Sequence, residues 1–102
     1  MVSGQMSFFV AICSLELGLY GVNSLKEKRG IVKRVINRTR DRFQIAVNEV
    51  GALDRLDSAE LGIALVSNDK SVANSVVDRV IQFVEDLHLA EVRSAEFTIE
   101  AY

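Results

Sequence analysis

Leu15-Glu16-Leu17-Gly18-Leu19-Tyr20-Gly21-Val22-Asn23-Ser24-Leu25-Lys26-Glu27 changes rhythm half-way along, and the fold is read from that change. Leu15, Leu17 and Leu19 alternate with Ser14, Glu16 and Gly18, the period of two that belongs to a half-buried strand. Gly21-Val22-Asn23 is a turn. Ser24, followed three residues on by Glu27, is a capping box in which each side chain serves a backbone N–H at a helix start. Beyond it Leu25, Val32, Val35, Ile36, Thr39 and Phe43 keep helical spacing. That spacing predicts a helix of about five turns over residues 25–42.

Working backwards, the strand reaches Ser7. The six residues before it, Met-Val-Ser-Gly-Gln-Met, read as a flexible extension with Met6 as an alternative start, so the single domain spans 7–102. Working forwards, Ile45 and Val47 alternate with Gln44, Ala46 and Asn48 as a short strand, and residues 51–58 are a polar loop. Leu61, Ile63 and Leu65 then oppose Glu60, Gly62, Ala64 and Val66 in a second strong strand. Ser67-Asn68-Asp69 is a cap cluster. Val72, Val76, Val77, Val80, Ile81 and Val84 form a helical stripe over residues 70–86, despite their β-branching. Finally Ala95, Phe97, Ile99 and Ala101 alternate with Ser94, Glu96, Thr98 and Glu100 over residues 92–102. The order is β-α-β-β-α-β. Right-handed crossovers make of it an α+β ferredoxin-like sandwich, a four-stranded antiparallel sheet ordered 4-1-3-2 with two helices on one face. Its expected helix-facing core is Leu15, Leu17, Ile63, Leu65, Phe97 and Ile99.

Length and composition exclude several classes. A chain of 102 residues has room for one core, and 49% apolar with 25% charged residues is a globular balance. The apolar runs at 8–13 and 63–66 fall far short of the roughly 20 residues that span a bilayer, so no membrane role is expected. No basic region precedes an apolar core and cleavage site, which argues against a secretory leader. A lone cysteine, Cys13, cannot form an internal disulfide and fits a reducing, cytoplasmic setting. One Cys and one His do not make a zinc site, and Asp54, Asp57 and Glu60 read as solvated loop acids, so neither metal nor cofactor is expected.

Charge is distributed unevenly. Eight of the twelve bases, Lys26, Lys28, Arg29, Lys33, Arg34, Arg38, Arg40 and Arg42, lie in 17 residues against only Glu27 and Asp41, a local charge of +6. The other 85 residues hold four bases and twelve acids, −8, and the two parts sum to −2. At ~100° per residue Lys26, Arg29, Lys33, Asn37 and Arg40 run along one flank of the apolar stripe. The ordinary reading of such a run is a solvated face whose bases pair with acids elsewhere. In an acidic protein, this density points instead to a polyanion. The expected phosphate contacts are Lys26, Arg29, Lys33, Arg34, Arg38 and Arg40, and a surface of that kind reads structured RNA by shape.

Ser24-Leu25-Lys26-Glu27-Lys28-Arg29 resembles the signature of the YlxP-like family, small bacterial cytosolic proteins of unassigned function. Arg42-Phe43 before a short strand ending Ala46-Val47-Asn48-Glu49-Val50, and the run from Leu61 to Asp69, match as well. The resemblance covers nearly the whole chain from Ser7. It implies a ferredoxin-like fold and a gene setting near translation initiation and ribosome maturation; it supplies no catalytic residues. This chain departs from the pattern at Leu56, where the family pattern has an aromatic residue.

Other candidates rank lower. The turn Gly18–Ser24 leads into a helix N-terminus that could hold an anion, as acylphosphatases do at this point of the same fold, but it lacks their glycine cradle and arginine. The face of the sheet away from the helices carries Phe8, Val10, Ile12, Ala64 and Val66 beside Glu16, Glu60, Glu96 and Glu100. With Phe8 as its one stacking residue it is not an RNA-recognition-motif surface. Its apolar half predicts a homodimer through this face or along an edge strand. His88 reads as a helix-end residue and Cys13 as core. The sequence therefore predicts a non-enzymatic cytoplasmic binding module, docking structured RNA or the ribosome through residues 26–42. The alternative is a homo-oligomeric interaction module whose basic helix meets an acidic protein surface.

Overall fold

The computed structural model describes residues 7–102; the N-terminal extension at 1–6 lies outside the described residues. Six elements follow in order: β1 (Phe9–Gly18), α1 (Leu25–Phe43), β2 (Ala46–Gly51), β3 (Ser58–Ser67), α2 (Lys70–Asp86) and β4 (Glu91–Ala101). The strands form one antiparallel sheet ordered β2-β3-β1-β4, the ferredoxin-like arrangement. Both long strands of the centre alternate except where they meet at Leu17–Gly18 and Ser58–Ala59, which are buried on both faces. Ala11, Cys13, Leu15 and Leu17 of β1 and Leu61, Ile63 and Leu65 of β3 are buried against the helices. Each such Leu or Ile side chain contributes about 1.5–3 kcal/mol by leaving water. Val32 and Val35 of α1 and Ala73, Val77, Val80 and Val84 of α2 close the layer from above.

The helix ends are built as their sequences require. Ser24 is extended (φ −153°, ψ 158°) and accepts from the Glu27 N–H at 3.1 Å. The Glu27 carboxylate reaches back to the N–H of Asn23, at 3.2 Å, one residue before the cap. Gln44 ends α1 in the left-handed region, donating its N–H to the Arg40 carbonyl. That turn delays β2, which starts at Ala46 and leaves Ile45 half-buried outside the strand. Asp69 caps α2 by accepting from the N–H groups of Ser71 and Val72.

One expectation of the core fails. Phe97 is 38% exposed, Ile99 only half-buried, and Ala95 and Ala101 exposed, although all four point to the helix side. The cause is position: β4 is an edge strand of 11 residues, and α2 covers only part of it.

Candidate nucleic-acid interface

The structure turns Lys26, Arg29, Lys33, Arg34, Arg38 and Arg40 to the surface of α1. Among the described residues, none of these six has a carboxylate within ion-pair distance. A helix face paired by acids from the rest of the fold is therefore not what forms. Arg29, Lys33, Asn37 and Arg40 instead border a groove of about 310 Å³ between α1 and β2, completed by Asn48 and Glu49. Arg34 and Arg38 stand further round the helix, and the Arg42 guanidinium lies 5.4 Å from the centre of the Phe43 ring.

Arg40 differs from its neighbours. Its Nη2 donates to the Val47 carbonyl and, at 2.9 Å, to Asn48 Oδ1. The guanidinium is exposed, yet one of its amines is committed to β2, so its first role is to hold the strand beside the helix.

Lys28 has left the basic face altogether. It is 1% exposed, donating from Nζ to the Ala52 carbonyl at 2.6 Å and lying 3.4 Å from Glu49 Oε2. The carbonyl belongs to a residue in the left-handed region (Ala52, φ 57°), so the ammonium anchors the bend between β2 and β3. A signal for this was present: Lys28, Val32, Val35 and Thr39 follow at spacings of four, three and four, the core stripe of the helix. The exposed part of α1 still carries seven bases against Glu27 and Asp41.

The turn before α1 is partly capped. Ser24 and Glu27 serve two of the N–H groups there, and the Gly18 end of the loop is filled by Arg93, whose guanidinium also lies 5.7 Å from the Tyr20 ring centre. Nearby, Tyr20, Glu85, His88 and Glu91 line an open cavity of about 690 Å³. His88 follows α2 with a positive φ of 54°. Cys13 is buried in β1, where desolvation pushes its thiol pKa up, away from reactive thiolate chemistry.

On the open face of the sheet Ile12 is 53% and Val66 68% exposed, while Phe8, Val10 and Ala64 are half-buried. Phe8 is not the lone aromatic there. Tyr102 stacks on it with ring centres 5.7 Å apart, and the two backbones exchange hydrogen bonds at 3.1 and 2.8 Å. The alternation of β4, continued one residue, puts Tyr102 on the face of Glu100 and Thr98. Glu16 and Glu60 stand directly opposite each other across β1 and β3 at the other end of this face, where Arg55 and Arg93 come within Coulombic reach of Glu16.

Residues 10–97 match the family described as a protein of unknown function, DUF503. The chain belongs to the DUF503 family. It is similar to the uncharacterized protein YlxP of Bacillus subtilis (strain 168), 30% identical over 76 residues, which are 74% of this chain and 83% of that relative. The match of DUF503 runs from β1 through most of β4, so it includes the whole of α1 and its bases. Among solved structures, the de novo designed protein Foldit4 superposes with a TM-score of 0.51 at 14% identity, over 93% of this chain and 96% of that one. That likeness concerns the fold alone. No helix among the described residues is long and apolar enough to cross a membrane.

Proposed function

We propose that this protein is a non-enzymatic, cytoplasmic binding module that docks structured RNA, as in the ribosome, through the exposed bases of α1. The observation that carries the reading is the set Lys26, Arg29, Lys33, Arg34 and Arg38, exposed on one helix with no acidic partner among the described residues. Five free cations on a rigid element are suited to phosphate oxygens, and such pairing depends on charge spacing rather than base sequence. The groove between α1 and β2 would take one strand of backbone, with Asn37 and Asn48 adding neutral donors at its sides.

The test is a salt titration of binding to a structured RNA. Affinity should fall steeply with salt, and replacing Arg29 and Lys33 by Gln should lower the slope of log K against log salt by about 2, roughly one unit for each phosphate no longer neutralised. Arg40 is unsuitable for this test, because its loss would also release β2. A slope and affinity unchanged in the Arg29→Gln, Lys33→Gln protein would remove α1 from the mechanism.

A second reading rests on Glu16 and Glu60, two acids opposite each other in the sheet register that α1 of another copy could meet. It predicts a protein free of nucleic acid whose assembly dissolves as salt rises.

A further inference from the structure

The two edges of this sheet are treated differently. β2 is short, at 6 residues, has an irregular register between Glu49 and Gly51, and has a carbonyl occupied by Arg40. These are the devices by which proteins keep an edge from pairing with another chain: brevity, a bulge and a covering cation. β4, the other edge, is neither short nor bulged over most of its length, and its charge there is confined to Glu96 and Glu100. It is 11 residues long, without Pro or Lys, and its one register shift, opposite Glu16/Leu17, lies near its start.

The direction of its free hydrogen-bonding groups follows from the Phe8–Tyr102 pair. Both N–H groups of that pair donate to the other residue's carbonyl, so Tyr102 turns its backbone groups toward β1. Antiparallel ladders alternate residue by residue. Glu100, Thr98 and Glu96 therefore bond β1, while Ala101, Ile99, Phe97 and Ala95 turn N–H and C=O outward, and no other described strand lies on that side. These same four residues carry apolar side chains on the helix side, of which Ala95, Phe97 and Ala101 are exposed and Ile99 half-buried.

We infer that β4 pairs antiparallel with β4 of a second copy, joining two sheets into one of eight strands. Charge and strand length together select the register. A two-fold axis at Ile99 avoids like charges but pairs only residues 97–101 of β4, and one at Ala95 runs through the register shift opposite Glu16/Leu17. A two-fold axis at Glu96 would set Glu96 against itself, and one at Thr98 would set Glu96 against Glu100 twice; like charges directly opposite are destabilising. An axis at Phe97 sets Glu96 opposite Thr98 and Glu100 opposite Ser94, with Ala95 opposite Ile99. It also brings the two Phe97 rings side by side under the α2 helices. The edge groups that pair are the outward ones, so helix side meets helix side and the two α1 helices come to lie at opposite ends of one face.

Sedimentation at micromolar concentration should give a dimer. Ala95→Pro removes an outward N–H and no bond to β1, so it should give a folded monomer by circular dichroism. Ile12→Asp, on the open face, should remain a dimer. A register test stands beside these: a mixture of Glu96→Cys and Thr98→Cys proteins should cross-link, since those residues would face each other across the seam, whereas neither should cross-link to itself. Should Ala95→Pro lose its fold, the cross-linking decides. A monomeric wild type, a dimeric Ala95→Pro protein, a dimer lost in Ile12→Asp, or the absence of the mixed cross-link would each overturn the inference.

Discussion

A lysine with 1% exposure is an unusual neighbour for seven exposed bases. Lys28 is held by one carbonyl and one carboxylate, and Glu49 Oε2 has no hydrogen-bond donor of its own among the described residues. Removing the ammonium strands both oxygens, so Lys28→Met should cost about 3 kcal/mol, the scale of a buried pair broken on one side. Denaturant unfolding measures it, and Lys28→Met combined with Glu49→Leu should recover a part, because two apolar groups leave no charge unpaired. A Lys28→Met protein of unchanged stability would contradict the structural role. Asp69 offers a second test at this scale. The N–H of Val72 and the hydroxyl and N–H of Ser71 hold its carboxyl below the usual carboxylate range. A pKa lowered by folding means stability present above the unfolded value and lost as pH falls through the folded one. Asp69→Ala should therefore lower the melting temperature at neutral pH, and the gap from wild type should close in acid.

The elements differ in how much of them could be read in advance. α2 ends where its valine stripe ends, and β1 and β3 bury the residues their alternation assigns, because in each one face packs against a neighbour along most of its length. β4 alternates as cleanly but sits at the margin, where alternation predicts direction and not burial. The basic run of α1 was legible as charge; its division into free cations, a strand clamp and a buried anchor was not, since that depends on where β2 comes to lie. Arg40 and Asn48 are eight residues apart and meet only once the chain has turned at Gln44. Arg40→Ala should consequently speed amide hydrogen exchange across β2 while leaving β1 and β3 protected. Equal protection in all three strands would show that the clamp is dispensable.

On the scale of the whole molecule, a net charge of −2 conceals two surfaces of opposite sign. The exposed side of α1 is basic, and the rest of the chain carries four bases against twelve acids, so a polyanion meets attraction at α1 and net repulsion elsewhere. Orientation on a partner can then be set at a distance, before the two surfaces touch. The strand order β2-β3-β1-β4 has a consequence of another kind. β1 is translated first among these elements and β4 last, yet the two are neighbours. While a ribosome works through residues between them, β1 can take β3 along one side only, and its other side waits for Glu91–Ala101. A nascent chain of this topology thus carries an open strand flank until almost all of the domain has left the exit tunnel. The vulnerable interval closes only when the last strand arrives, which makes the timing of synthesis part of how this sheet avoids the wrong neighbour.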